Sequence, residues 1–271
     1  MRKYIAKAVQ YFSLFLVLAV FLVPLLIVFN TSLKTEPEFL KNTVSVAKSF
    51  QLQNYAAAWN KANMGSYIVN SLIYVVVVDT VSIIMAVLLA FPIARKSVRF
   101  TGILYTVFVA GLFLPNGTIP LWQMLLKADL YNTRLGYILT MINGGGVTLM
   151  FFVSYIKGLP KELDEASAID GCGYFRYIFK ILTPLMKPAI SSMVILTTIN
   201  VWNEIVNSLI FLSDEKLYPI TRGLYVFKGQ YSVQWTQLTA ALIIVAMPLI
   251  LLYLLMQRYI IDGVVAGGVK A

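Results

Sequence analysis

Six stretches of this chain run for roughly 20 residues or more with almost no charge, the length at which an α-helix crosses the hydrocarbon core of a bilayer. They lie at about residues 11–29, 67–91, 101–126, 136–156, 187–212 and 238–256. In lipid every backbone N–H and C=O must be satisfied within the element, so runs of this kind restrict the fold to an all-α membrane protein with six transmembrane helices. Composition agrees: 59% of residues are hydrophobic and only 13% are charged, against about 25% charged in soluble domains. The whole chain, 1–271, reads as a single transmembrane domain. The first apolar run is too long for the hydrophobic region of a signal peptide, and no small-residue cleavage site follows it. It reads as an uncleaved first span.

The net charge of +10 serves topology, not nucleic-acid binding, because basic residues in membrane proteins gather in cytoplasmic loops. With the N-terminus inside, the inner segments carry three, three, five and two basic residues, and the outer loops carry four, two and three. The bias places both termini in the cytoplasm. It also places there the polar segment Pro160 to Pro184, PKELDEASAIDGCGYFRYIFKILTP.

That segment carries helix punctuation. Pro160 suits a first helical position. Glu162, Asp164 and Glu165 follow at the positive end of a helix dipole. Gly171 ends the helix, with Gly173 beside it. A second, more apolar helix runs from Tyr174 to Leu182 until Pro184 breaks the pattern. A compact helix-turn-helix between the fourth and fifth spans has the form of a handle for another protein.

Chemistry is limited by what is missing. The chain has no histidine, which excludes HExxH metalloproteases, Ser-His-Asp hydrolysis and histidine metal sites. No phosphate-binding GxxxxGK[ST] loop occurs; the nearest approach, Gly263 to Gly268, is followed by Val269. The single cysteine, Cys172, cannot form an intrachain disulfide. No catalytic residue, cofactor site or metal site is expected in this chain.

Polar residues inside the spans are the other signal. In the fifth span Thr197, Asn200, Asn203, Glu204 and Asn207 fall on a single helical face. Against lipid they would be costly, so they face a water-filled path or form interhelical hydrogen bonds. Asp79 in the second span is a carboxylate with no partner in its own helix. A partner on another helix or a shifted pKa would each account for it. Asn143-Gly-Gly-Gly146 loosens the fourth span, as hinge or as close packing. Pro115 and Pro120 kink the third. A short helix is expected near Asn54–Asn60, between the first two spans. The tail reads as a Gly-rich flexible end.

Against these features a family resemblance can be set. Permease subunits of binding-protein-dependent ABC importers carry, in this place, Glu-Ala-Ala, three residues, Gly, nine residues, Ile, one residue, Leu-Pro. This chain has Glu165-Ala166-Ser167, three residues, Gly171, nine residues, Ile181, Leu182, Thr183-Pro184, departing at Ser167 and Thr183. Further segments resemble the maltose-type, carbohydrate-uptake branch: Leu52-Gln-Asn-Tyr55, Asn70-Ser-Leu72, Leu114-Pro-Asn116, Ile119-Pro-Leu121, Trp202-Asn-Glu204, Gln257-Arg-Tyr259, Gly263 and Ala266-Gly267. Asp79 is not expected in that pattern.

The resemblance implies a non-enzymatic permease that pairs with a second, homologous permease around a path for a sugar, with an oligosaccharide as the leading class. An extracytoplasmic solute-binding protein would deliver the sugar. Two ATPase subunits, which bind the ATP and Mg, would each receive one coupling loop. Glu165, Ala166, Ser167, Ala168, Asp170, Gly171, Ile181 and Pro184 are then the coupling residues, and Gly267 and Gly268 contact the ATPases from the tail. The site would be the bacterial cytoplasmic membrane. A rival reading is an ion-coupled carrier or channel using Asp79 and Glu204.

Overall fold

The structure, a computed structural model, describes residues 2–115, 117–229 and 233–268. Among these residues the regular structure is helical, apart from one antiparallel bridge between Lys228 and Val233, with irregular segments between the helices. In chain order, α1 (Arg2–Ser32) is unbroken through Pro24. The short helices α2 (Glu36–Lys41) and α3 (Gln53–Lys61) follow, and α3 matches the helix expected near Asn54–Asn60. The second long helix is α4 (Met64–Arg95), which continues through Pro92. The third apolar stretch divides into α5 (Thr101–Ala110) and α6 (Thr118–Lys127), with Pro115 in the break. The fourth divides into α7 (Arg134–Met141) and α8 (Gly146–Gly158), bent by 52°.

After them come α9 (Glu162–Ile169), α10 (Tyr174–Tyr177), a π-helical turn (Ile178–Leu182) and α11 (Thr183–Leu185). The chain then turns by 83° at Met186 into α12 (Lys187–Asn203). Next are α13 (Val206–Phe211), α14 (Ile220–Gly223) and finally α15 (Trp235–Gly268), which carries Pro248. Among the described residues three helices are long and apolar enough to cross a membrane unbroken, and three bent pairs bring the number to six if each pair makes one crossing. Two of those pairs fall on the third and fourth expected stretches; the other joins Tyr174–Leu185 to Lys187–Asn203, and the fifth expected stretch, 187–212, is divided between α12 and α13.

Two compact units divide the chain, residues 1–66 with 222–248, and residues 67–221 with 249–271. In the first, α1 ends in a polar segment folded around Lys34. This lysine is fully buried, and its ammonium donates to the carbonyls of Thr43 (2.9 Å) and Asn42 (3.0 Å) and to Ser45 Oγ (3.4 Å). Asn30 and Glu38 hold the same loop: Ala47 N donates to Asn30 Oδ1 at 2.8 Å and Lys48 N donates to Glu38 Oε1 at 2.7 Å. Glu36 accepts from Thr236 Oγ1 at 2.7 Å, near the start of α15.

Two apolar cores of the second unit lie among the described residues. In one, Ile83, Ala86, Val87, Ala90 and Ile93 of α4 meet Leu149, Phe152 and Ile156 of α8, Ile178 and Leu182 of the π turn, Met186 and Ala189. Ala86 and Ala90 are fully buried four residues apart, and small residues at that spacing let helix backbones approach closely in a membrane. The other core gathers Tyr74, Val78, Leu125, Tyr137, Ile138 and Phe211, with the Tyr74 and Tyr137 rings edge-on at 4.8 Å.

The glycines at 144–146 combine close packing with a bend in the chain. A Cβ on Gly144 would lie 2.6 Å from Met85 Cβ, and one on Gly145 would lie 2.8 Å from Phe108 Cδ1. Gly146 has φ +60°, where the chain leaves the bend for α8. The break and the close packing are thus one feature.

Candidate functional site

The helix-turn-helix after α8 is present, with two changes from the expected punctuation. Pro160 lies just outside the helix: α9 starts at Glu162 with Lys161 at its N-cap. Pro184 does not terminate the second segment, because helical winding continues through the π turn to Leu185 and the change of direction comes at Met186. Proline tolerates that position because a wider turn leaves its missing N–H without a required acceptor.

Gly171 stops α9 as expected. Its φ is +68°, and Cys172 N donates to Ser167 O at 2.9 Å while Gly171 N donates to Ala168 O at 3.1 Å. These are the six-to-one and five-to-two bonds of a Schellman cap, which needs a left-handed residue where Gly171 stands.

Most of the expected coupling residues form the outward face. Glu165, Ala166, Ala168, Asp170, Gly171 and Pro184 are exposed, as is Ile169 at 87%. Ser167 instead turns inward; it is buried, and its hydroxyl donates to Asp164 O at 2.7 Å. Ile181 is half-buried against the core. Three acidic residues in the first turn of α9 sit at the positive end of its dipole.

What sequence spacing missed is how this element is held. Arg95, at the end of α4, lies with its Nε 2.6 Å from Asp164 Oδ2, and its side chain is only 8% exposed. The Arg95 Nη2 donates to Leu159 O at 3.2 Å. The Tyr177 hydroxyl donates to the other Asp164 oxygen, Oδ1. Burial, together with the Asp164 hydrogen bond and charge, pushes the Tyr177 phenol well above its ordinary range, so it remains a donor. Phe91 packs against Tyr177 at 5.2 Å and Tyr174 at 5.9 Å.

Tyr174 Oη donates to Leu88 O at 2.9 Å. That carbonyl is available because its usual partner four residues on would be the N–H of Pro92, which does not exist. A helix proline upstream was the available signal.

The polar residues of the fifth span do not share one continuous helix. α12 ends at Asn203; Glu204 is extended (ψ 115°) and its Oε1 accepts from Asn207 N at 2.8 Å, capping α13. The stripe separates accordingly. Thr197 and Asn200 line an open cleft of about 340 Å³ with Ser82, Asn143 and Thr148. Glu204 and Asn207 line a second cleft of about 640 Å³ with Thr118, Pro120 and Thr140. Asn203 is exposed and its amide donates to Ile199 O at 2.9 Å.

Asp79 finds its partner on another helix: Thr198 Oγ1 donates to Asp79 Oδ2 at 2.5 Å, and Asp79 Oδ1 has no hydrogen-bond partner among the described residues. Among the described residues no group of three or more His, Cys, Asp or Glu side chains could hold a metal ion. The backbone of α15 runs to Gly268, so the tail that reads as flexible is helical that far, while the surroundings of Gly267 and Gly268 lie outside the described residues.

Residues 80–265 match the family described as the binding-protein-dependent transport system inner membrane component. The chain belongs to this permease family. The permease is 31% identical to a probable ABC transporter permease protein of Bacillus subtilis, over 98% of this chain and 90% of the relative. It is also 31% identical to the diacetylchitobiose uptake system permease protein of Streptomyces coelicolor, over 96% and 88%. A melibiose/raffinose/stachyose import permease protein of B. subtilis is 28% identical over 92% and 91%. In fold, the permease matches a crystal structure of a bacterial ABC transporter involved in alginate import, with TM-score 0.85, 19% identity and coverage of 94% and 96%. The ion-coupled carrier is not favoured by these relatives.

Proposed function

We propose that this permease forms, with a second homologous permease, the membrane path through which an ABC importer takes up a sugar, with an oligosaccharide as the leading class. The named cargo of two relatives, diacetylchitobiose and the melibiose, raffinose and stachyose group, supports that class. An extracytoplasmic binding protein delivers the sugar, and two ATPase subunits bind ATP and Mg and supply the energy. The chain itself catalyses nothing. All six crossings belong to one transmembrane domain, with both termini in the cytoplasm.

The observation that carries the reading is the α9–α11 element: a capped helix whose exposed face is acidic and small, joined to a membrane core of this family. Glu165 is placed for a charge-assisted contact to a basic residue of an ATPase, and Ala166 and Ala168 keep that face flat. Gly267 and Gly268 contact the ATPases from the tail. Thr197, Asn200, Asn203, Glu204, Asn207 and Asp79 are assigned to the path; Thr197 and Asn200 border one cleft and Glu204 and Asn207 the other.

The test is reconstitution of the importer with its binding protein and a panel of disaccharides and trisaccharides. The double variant Glu165→Ala, Gly171→Asp is expected to lose ATPase assembly and uptake while inserting normally. Wild-type uptake by that variant would refute the docking role. Uptake that persists when the ATPases are inactivated would refute the importer itself.

A further inference from the structure

The coupling element is bonded along one face of α4. Leu88, Phe91 and Arg95 stand at i, i+3 and i+7, the spacing of a single helical stripe. Together they hold both halves of the element. Leu88 O accepts from Tyr174, Phe91 packs on Tyr174 and Tyr177, and Arg95 pairs with Asp164 of α9. The onward path to α12 is different in kind: a π-helical turn and then an 83° change of direction.

α4 is also tied along the rest of its length. Asp79 accepts from Thr198 of α12, and Ser82 Oγ accepts from Asn143 N at 3.0 Å. Beyond these, Asn70 and Tyr74 donate to the carbonyls of Lys216 (2.8 Å) and Leu217 (2.7 Å). One helix therefore touches the coupling element at one end, the cleft-lining helices in its middle and the 213–218 loop at the other.

Resting on the reading that this element docks an ATPase, we propose that Arg95, Asp164, Tyr177 and Tyr174 are positioning residues that lock it onto α4. Displacement by the ATPases then enters the membrane through the second span, with α12 following. The partly buried Arg95–Asp164 pair, 8% and 22% exposed, suits the task, because removing one partner leaves a largely desolvated charge uncompensated and the contact weakened. Pro92 contributes by freeing the carbonyl that Tyr174 occupies.

The experiment uses the assembled importer, both permeases and both ATPases, in nanodiscs. Spin labels are placed at Val76→Cys on exposed α4 and Phe175→Cys on the element, in a Cys172→Ser background. Distances are read without nucleotide and after trapping with ATP, Mg and vanadate. The parent is expected to give one narrow distance in both states. Asp164→Asn is expected to broaden it or separate the two states by about one helical turn, ~5 Å, while the ATPases still copurify. Tyr177→Phe and Tyr174→Phe, which keep ring volume, are expected to do the same more weakly and cover the case that Asp164→Asn fails to fold.

A parent distance that itself changes between states overturns the proposal, as do variants that keep the single narrow distance. Loss of ATPase copurification in Asp164→Asn also overturns it, since Asp164 would then face the ATPase. The docking reading fails separately, on retained copurification in the Glu165→Ala, Gly171→Asp variant.

Discussion

Replacing Gly171 by alanine isolates the cost of one backbone angle. At φ +68° an L-residue is strained by contact between its Cβ and the following carbonyl, about 1–2 kcal/mol. Usually such a substitution also crowds its neighbours, but a Cβ at Gly171 would meet nothing within 4 Å. The expected loss for Gly171→Ala is therefore the strain alone, about 1 kcal/mol, which raises local opening about fivefold.

Asparagine tolerates the left-handed region, so Gly171→Asn is expected to lose less, and β-branched Gly171→Val more. The readout is hydrogen exchange at the amides of Gly171 and Cys172, whose bonds to Ala168 O and Ser167 O close the cap. Refutation would come from an alanine variant that exchanges like the parent. An alanine effect beyond about 3 kcal/mol would equally refute it, because steric crowding would then be present.

Three other outcomes follow from the same structure. Gly144→Ala is expected to lower thermal stability in detergent by about 1–3 kcal/mol, and Met85→Ala will not rescue it because the clash is with the Met85 β carbon, which alanine keeps. Asp79→Asn is expected to be at least as stable as the parent, since the amide oxygen still accepts from Thr198 and no charge is left without a second partner, whereas Asp79→Leu is expected to lose about 1 kcal/mol; a fall of over about 2 kcal/mol in the asparagine variant would sink this account. The Glu38 carboxyl is held below its ordinary value of 4.5, chiefly by the backbone N–H of Lys48; its contribution is full above that value and is lost as pH falls through the depressed one, so limited proteolysis of the 38–49 loop should quicken only on strong acidification.

The spans were legible because length without charge has one physical outcome in lipid, and Gly171 was legible because its helix offered no other stop. Asn143 to Gly146 announced a weak point, though not that the same glycines admit Met85 and Phe108 at close range. The break at Asn203 escaped notice for a specific reason. Polar residues at 197, 200, 203, 204 and 207 repeat with helical spacing whether the helix continues or stops, and a glutamate can line a path or cap the next helix equally well. Here Glu204 caps Asn207 and still borders a cleft. The bonds from Arg95 and Tyr177 to Asp164 join positions 69 and 13 residues apart, so local spacing carries no trace of them. Ser167 was placed on the docked face by its position in a motif, yet periodicity puts it on the inner side, where it is buried.

The wide turn at Ile178–Leu182 holds one residue more than ordinary helix requires there. Deleting a single residue within it lets the stretch rewind normally, and everything downstream keeps its facing. Deleting one from the middle of α12 instead rotates the remainder by about 100° and points its buried side at lipid. Length is thus forgiving at this joint and unforgiving twenty residues later, and homologous chains differing by one residue would be expected to absorb the difference here.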